Sequence, residues 1–261
     1  MEPLVNVALQ IARQAGDFIR RSQDQVAFLE IKYDAYKGES TQVDIQAENM
    51  IIQGIRKKFP KHNILSEECG LIDNQSDTTW IVDPLDGTKN FLHGITHYAV
   101  SIAIQIKNQI EHAVIYDPIR HECFSASRGR GAQLNNRRVR VGQNTNINQS
   151  LIGIGKSIAS MHAPQEVVDF IRFNKLLPST RQLGCASLDM AYVASGRLDG
   201  YVAYGMNPWD CAAGMLLILE AGGVVTDFQG QSQALPHQQL MISNIKLNKN
   251  WLETFKSSHS E

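Results

Sequence analysis

Apolar positions Val5, Ala8, Leu9, Ala12 and Ile19 recur at helical spacing and predict an amphipathic helix over residues 3–22. Ile45, Ile52, Ile55 and Phe59 form a second such face, predicting a helix from about Asp44 to Phe59 that stops at Pro60. Beyond it the period shortens. Trp80-Ile81-Val82 reads as a strand ending where Asp83-Pro84 breaks the run, whereas Ile64-Leu65 is too short to assign by itself. Residues 98–106, 111–116 and 123–127 are β-rich runs separated by turn residues, as in an antiparallel meander. Helical texture returns at 186–195 and 209–219, stopped by Gly196 and Gly222-Gly223. Strands are expected between and after these helices, at 200–204 and 224–226. The mixture predicts an α+β fold with helices on both sides of sheets.

Composition narrows the reading. With 261 residues, 43% of them hydrophobic, the chain can bury a sizeable core in one domain. Its halves would be residues 1–145 and 146–261, roughly. A net charge of −1 provides no global basic field for nucleic acid or anionic lipid, so an anionic substrate has to be held locally. Cys69, Cys123, Cys185 and Cys211 are scattered, with neither a C-x-x-C pair nor zinc spacing, and read as ordinary thiols of a reducing compartment. Met1-Glu2-Pro3 lacks the basic start of a secretory leader, and Asp210, Glu220 and glycines interrupt the longest apolar tract. The expectation is a cytoplasmic protein without a membrane span. Arg128, Arg130, Arg137, Arg138 and Arg140 are interleaved with Gly129 and Gly131 but lack aromatic partners for base stacking. They read as a glycine-containing hairpin with a solvated arginine face, against the alternative of a phosphate or nucleic-acid patch.

The segment Trp80-Ile-Val-Asp83-Pro-Leu-Asp86-Gly87-Thr88-Lys-Asn90-Phe91 carries the strongest chemical signal. Two carboxylates stand three apart at a strand end, and Pro84 and Gly87 shape the turn that follows. Hard divalent cations need several oxygens at close range, and such a turn can offer two carboxylates and a carbonyl to one point. N–H groups at Gly87 and Thr88 are suited to a phosphate oxygen. The same turn also fits an Asx-turn with capping side chains and no further role. Glu67-Glu68 follows Ile64-Leu65, and Asp210 stands in the first turn of the helix after Pro208. Helix capping alone accounts for Asp210, and Asp44 is equally at home as an ordinary N-terminal helix acid.

Together these segments resemble the inositol monophosphatase family, within the lithium-sensitive, Mg²⁺-dependent sugar phosphatases. One family signature is matched by Trp80–Phe91 and a second by Trp209-Asp210-Cys-Ala-Ala-Gly through Glu220-Ala-Gly-Gly223. The stretch Gly184-Cys-Ala186-Ser-Leu-Asp through Asp199 precedes the second in the expected order, and the likeness covers nearly the whole chain. The resemblance implies a layered α/β/α/β/α sandwich of the inositol monophosphatase and fructose-1,6-bisphosphatase type, forming a homodimer. It implies Mg²⁺-dependent hydrolysis of a small phosphate monoester, inositol 1-phosphate first, with inhibition by Li⁺. Histidinol phosphate, another sugar or polyol phosphate, or a nucleotide 3′-phosphate are alternative substrates, and binding to transcription antitermination machinery is an alternative role. Two or three Mg²⁺ per subunit are expected. Glu67, Asp83 and the Leu85 carbonyl would hold the first; Asp83, Asp86 and Asp210 the second; and Glu67 would assist a weaker third. Thr88, backed by Asp44, would orient the attacking water in concert with Glu67. Gly87 and Thr88 would bind phosphate, while Gly184 and Ala186 flank the alcohol near Asp86 and Asp210.

Three departures from the family pattern stand out. Gly38-Glu-Ser-Thr41-Gln-Val-Asp44 keeps the last acid of D-x-V-T-x-x-D but loses the first, and Lys37 is only a partial equivalent of the family's loop lysine. Ala203 occupies the position of a glutamate that contacts inositol hydroxyls, which predicts a broader substrate range. Gly153-Ile-Gly155-Lys156-Ser157 stands where an aromatic Gly-Phe-Pro type sequence is common.

Overall fold

The computed structural model describes residues 3–28, 31–34, 38–155, 167–168, 171, 175–177, 179–232 and 237–257. Lys37, Lys156 and Ser157, singled out above, lie outside them. Helix α1 (Pro3–Ser22) and helix α2 (Gln42–Lys58) form as their apolar periodicity predicts. Thr41 begins α2: its hydroxyl accepts from the Val43 amide, and the Asp44 carboxylate reaches back to the Thr41 N–H at 2.8 Å. Thr-x-x-Asp before an apolar face is the sequence sign of such a reciprocal cap.

Strands β1 (Ile31–Asp34) and β2 (Gly38–Thr41) pair antiparallel before α2, and an eight-stranded sheet lies against the helices in the order β10-β9-β8-β7-β6-β5-β3-β4. Its strands are β3 (Asn63–Ser66), β4 (Gly70–Ile72), β5 (Thr78–Asp86), β6 (Ala99–Ile106), β7 (Gln109–Asp117), β8 (Glu122–Ser127), β9 (Gly131–Leu134) and β10 (Arg137–Arg138). The meander over β6, β7 and β8 is the one the sequence predicts. Two features differ. Ile64-Leu65 belongs to a genuine strand, stabilised as the parallel neighbour of β5, a pairing invisible to local propensity. Strand β5 also runs past Pro84, because a register shift between Asp83 and Asp86 absorbs the proline where its missing N–H breaks no ladder.

The smaller sheet has the order β12-β11-β13-β15-β14. It is built from β11 (Leu151–Ile154), β12 (Ser179–Arg181), β13 (Gly200–Met206), β14 (Gly223–Thr226) and β15 (His237–Asn244). Between the sheets lie α4 (Ala186–Ala194) and α5 (Pro208–Glu220), while α6 (Ile245–Ser257) covers the outer face of the smaller one.

Period-2 alternation explains the layering. On β5, Trp80 and Val82 join the core shared with α1 and α2, while Ile81 faces α4 and α5. On β13, Tyr201 and Ala203 face that central layer, while Val202 and Tyr204 pack toward Trp251 of α6. The result is the expected α+β sandwich, in the layer order α/β/α/β/α. Of the arginine run, Arg128 and Arg130 lie in the β8–β9 turn, while Arg137 and Arg138 form β10 and Arg140 follows it. Its turn glycines are held from α5, since the Glu220 carboxylate accepts from Gly129 N at 2.8 Å and Gly131 N at 2.7 Å. No described helix is long and apolar enough to cross a membrane.

Candidate active site

Parallel pairing of β3 with β5 brings Glu67, which follows β3, beside Asp83. The Glu67 amide donates to Val82 O at 3.2 Å, which sets its carboxyl beside that of Asp83. Asp83 is 2% exposed, and its Oδ1 accepts from the Leu85 amide at 3.0 Å, closing the turn. Asp210 enters from the first turn of α5, where its Oδ2 accepts from Asn207 N at 2.9 Å. Asp86 leaves the β5 bulge toward α4, and its Oδ2 takes hydrogen bonds from that helix's first turn.

These four acids act on one another. Burial, then the charge of Asp210, pushes the Glu67 carboxyl up to about 8. Burial, then Glu67, Asp86 and Asp210, raises Asp83 well above the usual carboxylate range. Among the described residues no three His, Cys, Asp or Glu side chains converge tightly enough to form a ready-made metal cage. The donor set is nonetheless all oxygen, largely buried and crowded with negative charge, which suits a hard divalent cation.

Beside the acids, Gly87 adopts φ 95° and opens helix α3 (Thr88–Leu92). A side chain there would fall 3.0 Å from His97 O, so glycine is required for both conformation and space. Thr88 Oγ1 lies 2.9 Å from Asp44 Oδ1 and 3.0 Å from Leu85 O, with one proton to give. Asp44 is 1% exposed, and Thr41 occupies its other oxygen through N–H and O–H. Burial raises the Asp44 carboxyl, opposed by these hydrogen bonds. The structure thus brings together Asp44, Glu67, Asp83, Leu85, Asp86, Gly87, Thr88 and Asp210 around the end of β5.

The remaining predicted contacts lie at its edge. Gly184 (φ 83°) packs against the Asn90 amide, whose Nδ2 donates to both Leu183 O and His97 O at 2.7 Å. Ala186 opens α4. Ala203 is 1% exposed and packs under Gly155, where an added Cβ would fall 2.6 Å from its own. Sequence reasoning overlooked several supporting residues. The Glu48 carboxylate accepts from the Glu68 and Cys69 amides, bracing the turn after Glu67. His97 Nε2 lies 3.1 Å from Asp189 Oδ1 in a buried pair, and burial pushes Asp189 up to about 6 against the effect of His97. None of these three has a local sequence signal, unlike the Thr41 cap on α2.

The acid cluster predicts a pH dependence. In the metal-free protein, Glu67 and Asp83 bind protons that the unfolded chain, with carboxyls near ~4, releases. Stability therefore falls as pH rises from about 4.5 to about 8, and Mg²⁺ should restore it. Melting temperatures from pH 5 to 9, in chelator and in Mg²⁺, test this; a flat chelator curve contradicts it.

The inositol monophosphatase family profile matches residues 1–260. A Pseudomonas aeruginosa protein named Nus factor SuhB is 42% identical over 98% of this chain and 97% of its own. Among solved structures, the extragenic suppressor protein suhB of Bartonella henselae superposes with a TM-score of 0.91 at 36% identity, covering 98% of this chain and 99% of that one. An inositol monophosphatase from Anabaena gives 0.85 at 31% identity, over 97% and 95%. With both signature segments gathered at one carboxylate-lined turn and the match running from end to end, the chain belongs to the inositol monophosphatase family.

Proposed function

We propose that the protein is a Mg²⁺-dependent phosphomonoesterase acting on small soluble esters, with inositol 1-phosphate the leading substrate. The reading rests above all on one observation: Glu67, Asp83, Asp86 and Asp210 crowd the end of β5 from three elements, next to the Thr88–Asp44 hydrogen bond. A family member from Staphylococcus aureus, 26% identical, has been solved with inositol monophosphate bound, and at 27% identity with 2′-AMP. Other sugar or polyol phosphates, histidinol phosphate and nucleotide monophosphates fit the same chemistry.

In this reading Glu67, Asp83 and the Leu85 carbonyl would hold one Mg²⁺, and Asp83, Asp86 and Asp210 a second, with Glu67 assisting a weaker third. When bound, the ions supply positive charge for the phosphoryl oxygens and a water acidic enough to act as nucleophile near neutral pH. Thr88 Oγ1 donates a hydrogen bond to Asp44, which would leave its lone pairs free to accept one from the attacking water and fix its direction. Thr41 keeps Asp44 from turning away. The Gly87 and Thr88 amides hold a phosphate oxygen, and Gly184 and Ala186 border the alcohol. Phosphate release from a panel of monoesters, with Mg²⁺ or with chelator, tests the proposal. No Mg²⁺-dependent release from any ester sinks it.

Ala203 bears on selectivity. It presents no acceptor for substrate hydroxyls and is shielded by Gly155. A wall that forms no hydrogen bond discriminates weakly, so kcat/KM for inositol 1-phosphate and glycerol 2-phosphate should agree within about tenfold. A preference of a thousandfold would show that another acid, from this chain or a dimer partner, replaces the missing glutamate.

The name Nus factor borne by the Pseudomonas relative favours a second role, binding transcription machinery. Retention of purified antitermination components, with and without chelator, tests it. Loss of both retention and activity in chelator would tie the two roles to one folded state.

A further inference from the structure

Asp86 is bound more tightly than its companions, and all its described partners lie on α4. Its Oδ2 accepts from Ser187 N at 2.6 Å, Ser187 Oγ at 2.6 Å and Cys185 Sγ at 3.2 Å. Cys185 occupies the N-cap position of α4 without a side-chain capping bond. The cap is supplied instead by Asp86, 101 residues before Ser187 in the chain. A carboxylate at a helix N-terminus is favoured by the exposed amides and by the helix dipole. A second tie joins the same elements, since His97, beyond the Gly87 turn, meets Asp189, two residues after Ser187 in the first turn of α4. Both ends of the loop from Asp86 to His97 are thus fastened to one helix.

We infer that Ser187 is a positioning residue for metal binding: by holding Asp86 Oδ2, it leaves Oδ1 as the single oxygen that Asp86 presents to a cation. Three donors saturate Oδ2 and prevent rotation of the carboxylate. Crowded beside Glu67, Asp83 and Asp210, a carboxylate without these bonds is free to turn outward, and a cation would have to order it on binding. Ser187 is fully buried, so its hydroxyl has no competing solvent partner. The backbone amide would cap α4 with any residue at this position. The hydroxyl is therefore the part specific to this sequence, and removing it isolates the effect.

This inference rests on the Mg²⁺ reading above, and the test separates the two. Mg²⁺ binding is measured by calorimetry and by the Mg²⁺-induced rise in melting temperature, for wild type, Ser187→Ala and Ser187→Thr. Alanine keeps the amide and favours helix, so the metal-free melting temperature serves as a folding control. Ser187→Ala should weaken Mg²⁺ binding about ten- to a hundredfold, the range for losing one hydrogen bond to a charged group. The Mg²⁺ concentration for half-maximal rate should rise in proportion, with kcat falling less, and Ser187→Thr should recover most of the loss. Binding by Ser187→Ala as tight as wild type or tighter overturns the inference while leaving the phosphatase reading intact. Failure of threonine to restore binding, with folding unchanged, also overturns it. Absence of Mg²⁺ binding by the wild type overturns both.

Discussion

Asp83→Asn and Asp86→Asn should each leave less than about one-thousandth of the wild-type rate, while the proteins remain folded. Losing one ligand of a catalytic cation costs several kcal/mol of barrier, and each ~1.4 kcal/mol is a factor of ten. Stability should move the other way. Asparagine at position 83 can still accept from the Leu85 amide, and it is neutral beside Glu67, Asp86 and Asp210 without having to bind a proton. The Asp83→Asn melting temperature in chelator should therefore equal or exceed that of wild type, whereas Mg²⁺ should raise it less. Phosphate-release assays in saturating Mg²⁺, paired with melts in both conditions, check this. Near wild-type turnover in either variant would remove these acids from the chemistry.

Thr88→Ala and Asp44→Asn should each lower kcat by about a hundredfold or more, the usual weight of a group that directs proton transfer. The double variant should be little worse than either single one. The two side chains form one hydrogen-bonded unit, and a unit already broken cannot be broken twice. Asp44→Asn also disturbs the cap on α2 and should cost about 1 kcal/mol of stability, a penalty Thr88→Ala does not share. Multiplicative losses in kcat would mean that Thr88 and Asp44 act separately.

Much of this architecture is legible locally. The apolar stripe of α1, the alternating meander and the glycine stops after α4 and α5 are short-range patterns, and the fold obeys them. The turn from Asp83 to Thr88 is equally visible, since proline, glycine and paired acids are compressed into a few residues. What escapes is whatever depends on a partner far along the chain. Two apolar residues at 64–65 become a strand only because β5 lies alongside. Pro84 looks like a strand terminator until the bulge beside it is seen. Asp210 and Asp44, each explicable as a helix-end acid, do cap their helices and also stand at the carboxylate cluster or the Thr88 hydroxyl. Their capping and their place at the site are one arrangement, which spacing cannot reveal. Ser187 and Asp189 lie on a helix whose sequence reads as plain core, and their partners Asp86 and His97 are about a hundred residues away.

Strand β5 lies inside the eight-stranded sheet, between β3 and β6, with apolar layers on both faces. Segments so enclosed open only at free energies approaching that of global unfolding, while loops and termini fluctuate almost freely. Four acids mounted on loops would relieve their repulsion by drifting apart. Asp83 and Asp86 on this strand, Asp210 on α5, and Glu67, tied to β5 through its amide and braced by Glu48, cannot drift, and the cost of crowding them is carried by the whole fold. The protein thus keeps its acids gathered before any cation arrives, with protons on Glu67 and Asp83 easing their repulsion, and a cation that binds displaces those protons instead of having to assemble its own site.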